Sequence, residues 1–517
     1  MYWADKIAKK IIDSGKFIPY WVDDMKTPSG FAHIGSLRGP LIHSVIYRAL
    51  KDAGKNPKFT FIFNDFDPTD ELPPEYKEEL KDYLGLPLKK VPSPDKNFEN
   101  LADLLVDDLA KVLRQLGVEA EFVSSWKLYH EGKFDEVIKI ALDNAEKIQD
   151  IYQKISGSQK KAQGWLPLQV VCEKCGKLGT TRVFAWDGKD TSYKCEPDLV
   201  TWAQGCGHEG KISPFGGNGK LPWKVDWPAH WKVMGVTIEG AGKDHASAGG
   251  SYDIAMELCK EVFNYSQPFK FPYEFILIGG KKMSSSKGLG MKARDILDLF
   301  PPNIARFMFV RQDYREQVNF DPNKTMAIPD LFDEYDRCYQ AFITGSNEDL
   351  ARTFELAQVK DVPLKKEVYL PRFREVVQVV QMSGVDIKKY FSEKKGSDLT
   401  SEEEEILEER IKYAEKWLKN YAPEEFKYEI KTISAKAHIT LPADFYSELL
   451  KLIDSVNSGE ELEKNLYELI KKTGKPAKEV FQELYLLLMG KTHGPKLAWF
   501  IWENKDKAKE IFAKTKK

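Results

Sequence analysis

The order of apolar segments in residues 17–63 constrains the fold more than any other feature of the sequence. Residues 17–22 form a short apolar strand candidate, a Pro-Ser-Gly turn follows, and apolar side chains then recur with helical spacing from about Ser36. Residues 59–63 are apolar except for Thr60, which is typical of a strand covered on both faces. Strand, helix and strand in this order predict a βαβ unit, and therefore a parallel sheet flanked by helices.

The rest of the chain changes character several times, which indicates more than one domain. Residues 68–98 carry six prolines and many charges, whereas residues 99–160 return to helical spacing. Strand candidates reappear at 233–239 and 271–278, and after residue 291 nearly every segment has helical periodicity. A chain of 517 residues is too long for one compact core, so roughly two to four domains are expected.

These patterns predict an α/β domain in two halves, split by an insertion and followed by helices. The expected boundaries are 1–66 and 221–290 for the two halves, 67–220 for the insertion, 291–345 for a helical connector and 346–517 for a helical C-terminal region. The insertion also contains most of the cysteines, in a glycine-rich stretch with short strand candidates at 165–220. We therefore expect a small metal-bound module there.

Composition excludes several classes of protein. The hydrophobic content of 42% and aromatic content of 12% are ordinary for a globular protein, and no apolar run reaches the roughly 18 residues of a membrane helix. The first residues lack the apolar segment and the small-residue cleavage site of a secretory signal. We therefore expect a cytoplasmic protein with no membrane partner, whose clustered cysteines bind metal rather than form disulfides.

The charge of the chain is close to balanced but unevenly distributed. The formal net charge is −2, yet residues 471–517 contain twelve lysines and five acids, a local excess of seven positive charges. Such a basic face can bind phosphates while the rest of the molecule stays acidic, although a solvated lysine-rich helix end explains it equally well. Trp499, Phe500 and Trp502 lie in the same stretch, and aromatic rings of this kind can stack on unpaired bases.

Five side chains between residues 172 and 208 are candidate metal ligands. Cys172 and Cys175 form a CxxC pair, Cys195 follows, and Cys206 is two residues before His208. Four soft ligands with a short first spacing are typical of a closed, tetrahedral, structural zinc site. We favour the four cysteines, with His208 as a substitute for Cys195; the alternative is a reduced segment without metal.

The turn after the first strand candidate contains residues suited to binding phosphate. His33, Gly35 and Ser36 lie between a strand and the helix that follows it, where unpaired N–H groups and the helix dipole favour anions. A glycine allows close approach to the backbone, and a histidine can donate a hydrogen bond to a phosphate oxygen. Taken alone, a capped helix with a hydrogen-bonded histidine explains these residues better.

A second candidate phosphate site is the loop at residues 281–288, with the sequence Lys-Lys-Met-Ser-Ser-Ser-Lys-Gly. Three lysines among serines and glycine form a cationic loop rich in donors, suited to a pyrophosphate leaving group. Taken alone, a plain surface loop is the better explanation. The two segments together, in this order and each after a strand candidate, are a more specific signal.

The pair His33–Ser36 and 281–288 resembles the two signatures of class I aminoacyl-tRNA synthetases. In that family the first motif packs against ATP, and the second stabilises the transition state of adenylate formation. The segment 242–245, Gly-Lys-Asp-His, follows a central strand candidate where the family contacts the ribose and the amino acid. The resemblance implies catalytic and ATP-binding roles for His33, Gly35, Ser36, Asp244, Lys282, Met283, Ser284, Ser285, Ser286 and Lys287.

Within this class the chain is most similar to the class I lysyl-tRNA synthetases, over nearly its whole length. The similar segments are 27–30, 33–35, 215–223, 226–231, 242–245, 282–288, 330–337 and 490–496. The resemblance implies a Rossmann-type catalytic domain with a zinc-knuckle insertion and an all-α, anticodon-binding helical cage. It further implies that ATP with Mg²⁺, L-lysine and tRNA(Lys) are the substrates and that lysine is joined to the terminal adenosine of the tRNA.

A lysine pocket has to hold a four-methylene stem and an ammonium group. Aromatic walls serve both, through apolar contact and cation–π attraction. By resemblance, the pocket residues are Thr27, Trp223, His245 and Tyr273, although a tryptophan here could equally be a packing residue. The sequence leaves open which carboxylate meets the ammonium; the candidates are Asp23, Asp24 and Asp226.

The sequence departs from the family pattern in three places. Ser36 stands where the first signature has histidine, and Ser285 stands where the second has lysine, so Lys282 and Lys287 have to supply the positive charge. Archaeal-type relatives often carry an Asp/Cys/His/His metal cluster in the insertion. The corresponding stretch here, residues 92–104, has no cysteine or histidine, so we expect no metal there.

Three other functions fit the sequence less well than that of a lysine—tRNA ligase. A glutamyl-type synthetase would need basic side chains for a carboxylate where this chain has aromatic ones. An inactive tRNA-binding paralogue is disfavoured by His33, Gly35, Lys282 and Lys287. A small nucleotidyltransferase with the first signature would lack a C-terminal half of this length.

Overall fold

The computed structural model describes residues 1–159, 164–280, 290–359, 367–382, 385–430 and 440–515. The chain divides into two compact units, of which the first is Met1–Asp321 with Cys338–Val362 and the second is Pro322–Arg337 with Pro363–Lys517. Within the described ranges, no helix is long and apolar enough to cross a membrane.

The first unit begins with the elements that the sequence predicts as βαβ. They are α1 Trp3–Ser14, β1 Trp21–Lys26, α2 Arg38–Asp52, β2 Lys58–Phe63, α3 Lys77–Leu80, α4 Leu101–Gln115 and β3 Glu121–Ser124. The next elements are α5 Ser125–His130, α6 Asp135–Asp143, α7 Ala145–Ser156, β4 Gln169–Val170, β5 Thr181–Trp186, β6 Thr191–Cys195, β7 Glu209–Ile212 and β8 Gly219–Lys220.

The chain then returns to the sheet and ends the first unit with short helices. These elements are α8 Trp223–Met234, β9 Ile238–Gly242, α9 Lys243–Ala246, α10 Ser251–Glu261, β10 Phe269–Tyr273, β11 Ile276–Ile278, α11 Ile296–Leu299, α12 Pro302–Val310 and β12 Val318–Phe320. Helix α13, Ala327–Thr344, includes the unit boundary, and α14, Glu348–Ala357, belongs to the first unit.

A five-stranded parallel sheet in the order β10-β9-β1-β2-β3 forms the centre of the first unit. The chain builds outward from β1 through β2 to β3, and then returns to β9 on the other side of β1. This order is that of a Rossmann-type fold, whose topological switch point lies between β1 and β9. In such sheets, ligands bind outside the carboxyl ends of the strands at the switch point.

The buried apolar residues of β2 and α2 explain why the sheet forms here. Phe61 and Ile62 of β2 are fully buried, and Leu41, Val45 and Ile46 form the buried face of α2. Because β2 is covered on both faces, its near-continuous apolar sequence fits a central parallel strand. The predicted parallel α/β architecture is therefore confirmed.

The strand bounds differ from those that apolarity predicts. β1 begins at Trp21 rather than at residue 17, and Ile18 is exposed. The strand instead includes Asp23 and Asp24, which are buried. Hydropathy misplaces β1 because these acids are covered by the residues packed around the sheet.

Two later strand candidates are also shifted. Residues 233–234 end α8, which terminates at Gly235 with φ of 84°, so β9 starts only at Ile238. The candidate at 271–278 is two strands, because β10 pairs with β9 whereas β11 pairs with β12.

Two expected boundaries also differ from the structure. β3 lies within 67–220, the expected insertion, yet it pairs in parallel with β2 in the main sheet. Only Phe122 and Val123 of β3 are apolar, and a short strand at a sheet edge gives too weak a pattern for detection. α14 lies within 346–517, but the Arg306 side chain of α12 binds the main-chain oxygen of Leu356 in α14 at 2.8 Å, so α14 packs in the first unit.

The second unit contains helices throughout its described part. Besides the first part of α13, they are α15 Phe373–Val379, α16 Ile387–Lys395, α17 Ser401–Asn420, α18 Ala443–Ser455, α19 Gly459–Lys472, α20 Ala477–Met489, α21 Leu497–Glu503 and α22 Lys505–Lys514. Helices α18 to α22 enclose one apolar core that includes Tyr446, Leu484, Ile501 and Phe512. The predicted helical C-terminal region is therefore confirmed.

One of the three C-terminal aromatic candidates for base stacking is unsuited to that role. Phe500 is only 5% exposed and belongs to the core of the second unit. Its position on α21, between the buried Leu497 and Ile501, points it inward by helical spacing. Trp499 and Trp502 are partly buried, and the Lys505 ammonium lies 5.0 Å from the Trp502 ring centroid.

Candidate functional site

A pocket opens at the carboxyl ends of β1, β9 and β10, at the switch point of the sheet. It brings together residues that are far apart in the sequence. Six of the sequence-predicted site residues line it: His33, Gly35, Ser36, Asp244, His245 and Tyr273. The location and the lining agree with a nucleotide-type α/β site.

The first signature forms the turn between β1 and α2. His33 precedes a single 3-10 turn, Ile34–Leu37, and α2 follows directly. Ile34 and Leu37 are fully buried, so they fix the turn while Gly35 and Ser36 line the pocket. The sequence therefore places a helix start at the pocket edge, where N–H groups and the helix dipole favour a phosphate.

The chain after the second signature is hydrogen-bonded to the first signature. His33 and Lys292 form an antiparallel bridge, the Ile34 N–H donates to the Met291 oxygen at 2.9 Å, and the Ala293 N–H donates to the Ala32 oxygen at 2.7 Å. On the other side of the loop, the Gly280 N–H donates to Asn319 Oδ1 at 2.9 Å. Both flanks of the loop are thus held within the first unit.

The loop itself lies outside the described residues. The predicted site residues that fall there are Lys282, Met283, Ser284, Ser285, Ser286 and Lys287.

Asp24 occupies a crowded position in the pocket wall. A Cβ atom added at Gly39 would lie 2.8 Å from Asp24 Oδ2 and 2.5 Å from the Tyr273 hydroxyl oxygen, so only glycine fits there. Asp24 Oδ1 accepts a hydrogen bond from the Met25 N–H at 2.9 Å. Burial raises the pKa of Asp24 to about 7, because water that would solvate the carboxylate is excluded.

His43 lies beside Asp24 but has a structural role. Its Nδ1 is 2.8 Å from the Gly39 oxygen, and its Nε2 accepts from the Gly240 N–H at 2.8 Å. Burial lowers the pKa of His43 to about 4, so the ring is neutral at physiological pH and Nδ1 carries the proton. The ring therefore joins α2 to β9 and keeps the pocket wall in place.

An aromatic cluster lies next to the pocket. The rings of Trp223 and Trp227 stack at 5.0 Å, and both lie within 6 Å of the His245 ring. Trp227 also stacks on Tyr252 at 5.1 Å, and its indole N–H donates to Glu239 Oε1 at 2.8 Å. Trp227 and Tyr252 are buried. Trp223 and His245 are therefore the partly exposed rings of this cluster, and such rings suit an alkyl stem that carries a cation.

Two of the predicted lysine contacts lie beside the pocket rather than among its described lining residues. Trp223 approaches the pocket through His245, at 5.8 Å between ring centroids. The Thr27 hydroxyl donates to Asp67 Oδ2 at 2.7 Å. Thr27 is thus oriented by the segment after β2, which the sequence does not indicate.

The three carboxylates that are candidates for binding the lysine ammonium have different surroundings in the structure. Asp226 is fully buried and pairs with the Lys220 ammonium at 2.7 Å, while the Tyr129 hydroxyl donates to its other oxygen. Asp23 accepts from the Thr60 hydroxyl and pairs in register with Glu239 of β9. Of the three, Asp24 alone is in the described pocket lining.

The four predicted cysteine ligands lie together in the insertion. All four Sγ atoms are within 4.8 Å of one another, and the Cys172–Cys206 and Cys175–Cys195 pairs are each separated by 3.7 Å. A zinc tetrahedron with Zn–S bonds of about 2.3 Å has S···S edges of about 3.8 Å, so the cluster has the size of such a site.

His208 is outside this cluster. Its main-chain oxygen accepts from the Cys195 N–H at 2.8 Å, and its ring lies 6.1 Å from the Tyr193 ring. The structure therefore favours Cys195 over His208 as the fourth candidate ligand, and all four cysteines are free thiols.

Several residues that line the pocket were not identified from the sequence, and Lys26, Arg38 and Gly39 are among them. A signal for Lys26 was available, because alternation along a strand puts it on the same face as Asp24. No local pattern marks Gly39, since its role depends on contacts with β1 and β10.

Comparison with known proteins gives matches over most of the chain. Residues 1–360 match the family described as tRNA synthetases class I (K). A lysine—tRNA ligase of Archaeoglobus fulgidus is 32% identical over 504 residues, which cover 97% of each chain. A lysine—tRNA ligase of Methanocaldococcus jannaschii is 34% identical over 530 residues, again 97% of each chain. A crystal structure of glutamate-tRNA synthetase from Elizabethkingia anophelis aligns over 95% of this chain and 99% of that chain, with 11% identity and a TM-score of 0.44.

Proposed function

The chain belongs to the class I (K) tRNA synthetases, and from this membership we propose that it is a lysine—tRNA ligase. It activates L-lysine with ATP and transfers the lysyl group to tRNA(Lys). The observation that carries this proposal is a full-length similarity to lysine—tRNA ligases, above 30% identity over 97% of both chains. The pocket supports it, because the first signature lines the switch point of the sheet.

Activation needs positioning and charge stabilisation rather than a protein nucleophile. A carboxylate oxygen of lysine attacks the α-phosphorus of ATP, the bond to the bridging oxygen breaks, and its electron pair leaves with pyrophosphate. His33 and Ser36 donate hydrogen bonds to the phosphates, and Asp244 binds the ribose side of the nucleotide. Mg²⁺ enters with ATP as part of the substrate. Such contacts act most strongly when charge moves toward the leaving group.

The loop after β11 completes the phosphate site in this proposal. Lys282 and Lys287 supply positive charge to the leaving pyrophosphate, the hydroxyls of Ser284, Ser285 and Ser286 offer hydrogen-bond donors, and Met283 belongs to the same signature. The hydrogen bonds of the flank after the loop support this role, since they hold residues 291–293 beside His33.

The lysine side chain lies against the aromatic cluster. Tyr273 and His245 line the pocket, and Trp223 and Thr27 lie beside it. Asp24 meets one ammonium group of lysine, because Asp226 is already paired with Lys220. A glutamyl-type substrate would place its carboxylate against the same aromatic wall, which offers it no compensating charge.

In the second step a hydroxyl of the terminal ribose of tRNA attacks the lysyl carbonyl. An ester C–O bond forms as the hydroxyl gives up its proton to solvent, the acyl–phosphate bond breaks, and its electron pair leaves on AMP. We assign the helical second unit to the anticodon side of the tRNA. Its basic C-terminal stretch supports this assignment, with Trp499 and Trp502 as the remaining stacking candidates.

One structural Zn²⁺ is bound by Cys172, Cys175, Cys195 and Cys206 in this proposal. The clustering of four thiols in reach of one ion supports it. Such an ion would hold the β5-β6-β7 module together and take no part in the reaction. Elemental analysis should give one zinc per chain, and Cys175→Ser should lose the zinc and lower the melting temperature; zinc-free native protein would contradict the assignment.

The decisive experiment is ATP–pyrophosphate exchange with each of the twenty amino acids, with and without tRNA. Lysine should be the substrate that drives exchange, and tRNA(Lys) should then be charged. Exchange driven by glutamate or arginine instead would make the substrate assignment wrong. No exchange in either condition would favour an inactive paralogue.

A further inference from the structure

Lys26 brings a positive charge into the pocket that neither signature contains. It is the last residue of β1, it is partly buried, and it lines the same pocket as His33, Ser36 and Asp244. Its main-chain oxygen accepts from the Asn64 N–H at 3.0 Å, which holds this end of the strand beside β2. The side chain therefore starts from a fixed point at the switch point of the sheet.

Asp24 and Lys26 are oppositely charged residues on one face of β1. Alternation puts them on the same face, with Cα atoms about 6.7 Å apart, whereas Asp23 faces the other side. Burial raises the pKa of Asp24 and lowers the pKa of Lys26, although each group attracts the other. A ligand with an ammonium and an anionic group at a similar spacing would stabilise both charges.

The other strong cation in the pocket is already engaged. Arg38 donates to the main-chain oxygens of Phe309, Asp313 and Glu316, the last two at 3.2 and 3.3 Å. These bonds tie its guanidinium to the end of α12 and to the segment after it. Of the lysine and arginine residues in the described lining, Lys26 is thus the one available to a ligand.

We propose that Lys26 is a catalytic residue of amino-acid activation, whose ammonium binds both the carboxylate of the amino acid and the α-phosphate that it attacks. The inference rests on the proposed function. Attack brings a carboxylate against a polyphosphate, and a cation between two anions lowers their repulsion at the distance where the new P–O bond forms. The step uses the ammonium form of Lys26, which the two bound anions favour; the electron pair of the broken bond leaves on pyrophosphate, and no proton is transferred.

The test measures lysine-dependent ATP–pyrophosphate exchange by the full-length protein, with and without tRNA. The variants are Lys26→Met and Lys26→Gln, which remove the charge, and Lys26→Arg, which keeps it. The control is Lys58→Met at the exposed start of β2, where the lysine packs over the Trp21 ring at 3.8 Å. Lys58→Met removes a positive charge from the neighbouring strand and changes no residue of the pocket lining.

Both neutral variants should lower kcat by about a hundred- to a thousand-fold, with KM for ATP and for lysine changed little. The kcat of Lys26→Arg should stay within about tenfold of that of the unaltered protein. The kcat of Lys58→Met should equal that of the unaltered protein. A folded neutral variant with full kcat would overturn the inference, as would a change in KM for lysine alone. Absence of exchange in the unaltered protein would instead contradict the proposed function and the inference together.

Discussion

Two buried carboxylates of the first unit and one of the second have pKa values that are shifted in opposite directions. In the first unit, burial raises the pKa of Asp24 to about 7 and of Glu239 to about 8. In the second unit, burial alone would raise the pKa of Glu403, but hydrogen bonds from Lys395 Nζ at 2.6 Å, the Thr400 N–H and the Tyr369 N–H lower it to about 2.

The difference between these pKa shifts distinguishes a residue of the candidate site from a residue that stabilises the fold. The Glu403 carboxylate is fully compensated by its own chain, so its charge stabilises the helical fold. Asp24 is left short of compensation beside a pocket, which costs stability unless a ligand supplies the missing charge. Perturbed groups in a cleft indicate a site, whereas satisfied buried groups indicate architecture.

The largest expected loss of stability comes from removing Lys220, a buried cation of the first unit that is paired with carboxylates. Lys220 is 1% exposed and pairs with Asp226 at 2.7 Å and with Asp67 at 3.3 Å. Lys220→Met leaves two carboxylates without their cation and should destabilise the first unit by about 3–5 kcal/mol. Calorimetric unfolding of the full chain measures this loss. Lys194→Met, at the exposed pair with Glu209, should leave the transition in place, and equal effects of the two variants would contradict the reasoning.

The second largest effect is expected on the rate of the chemical step in the pocket. His33→Ala should lower the rate of lysyl-adenylate formation by about a hundred- to a thousand-fold, because it removes a donor to charge that develops in the transition state. Single-turnover kinetics with saturating ATP and lysine measure this rate. His493→Ala, an exposed histidine of the second unit, is the matched control and should react at the unaltered rate. Normal adenylate formation by His33→Ala would remove the first signature from the mechanism.

Neutralising one carboxylate in each unit should change stability with opposite signs. The pKa of Asp24 is raised in the folded protein, so its cost to stability grows as pH rises from about 4 to about 7 and is complete above pH 7. Asp24→Asn should therefore stabilise the first unit at pH 8 while raising KM for lysine. The folded pKa of Glu403 is depressed, so its contribution is present above about pH 4.3 and is lost as pH falls toward 2. Glu403→Gln should therefore destabilise the second unit by about 1.5–3 kcal/mol at pH 7.

Denaturant unfolding of both variants at pH 5 and pH 8 tests these signs. The stabilisation by Asp24→Asn should shrink at pH 5, where Asp24 is protonated in the folded protein. Destabilisation of the first unit by this variant at pH 8 would mean that Asp24 is as well compensated as Glu403.

The smallest effect is expected at the surface of the second unit. Lys509 pairs with Asp454 at 2.5 Å, but the two side chains are 35% and 61% exposed, so water and salt screen the pair. Lys509→Ala should change the stability of the second unit by less than about 1 kcal/mol, measured by the same unfolding experiment. The variant should reduce tRNA affinity if the basic stretch binds phosphates, and a filter-binding titration against salt would detect that loss.

Local patterns in the sequence were enough for several parts of this protein. The apolar run of β2 and the helical spacing of α2 predicted a parallel sheet, because both are fixed by neighbours along the chain. The cysteine spacing predicted a ligand cluster, and the structure brings Cys172, Cys175, Cys195 and Cys206 together. β3 was missed because a short strand at a sheet edge has too few apolar residues to form a pattern.

The site was only partly predictable, because only some of its residues form a pattern within a short stretch of sequence. His33, Gly35 and Ser36 were identified from the sequence because they are contiguous and lie between a strand and a helix. The sequence offers Phe500 as a candidate for base stacking and its burial contradicts that role, since composition does not tell which face of α21 packs inward.

The sequence by itself determined the strand–helix–strand order of β1, α2 and β2, the signature turn at His33 and the four thiols, since each is encoded over a few residues. The tertiary structure decided which charges share one pocket. Asp24 and Lys26 line it, Asp226 is withdrawn by Lys220, and Gly39 leaves the space that Asp24 and Tyr273 occupy. The physical reason is that burial and charge compensation depend on strands that meet only when the sheet is formed.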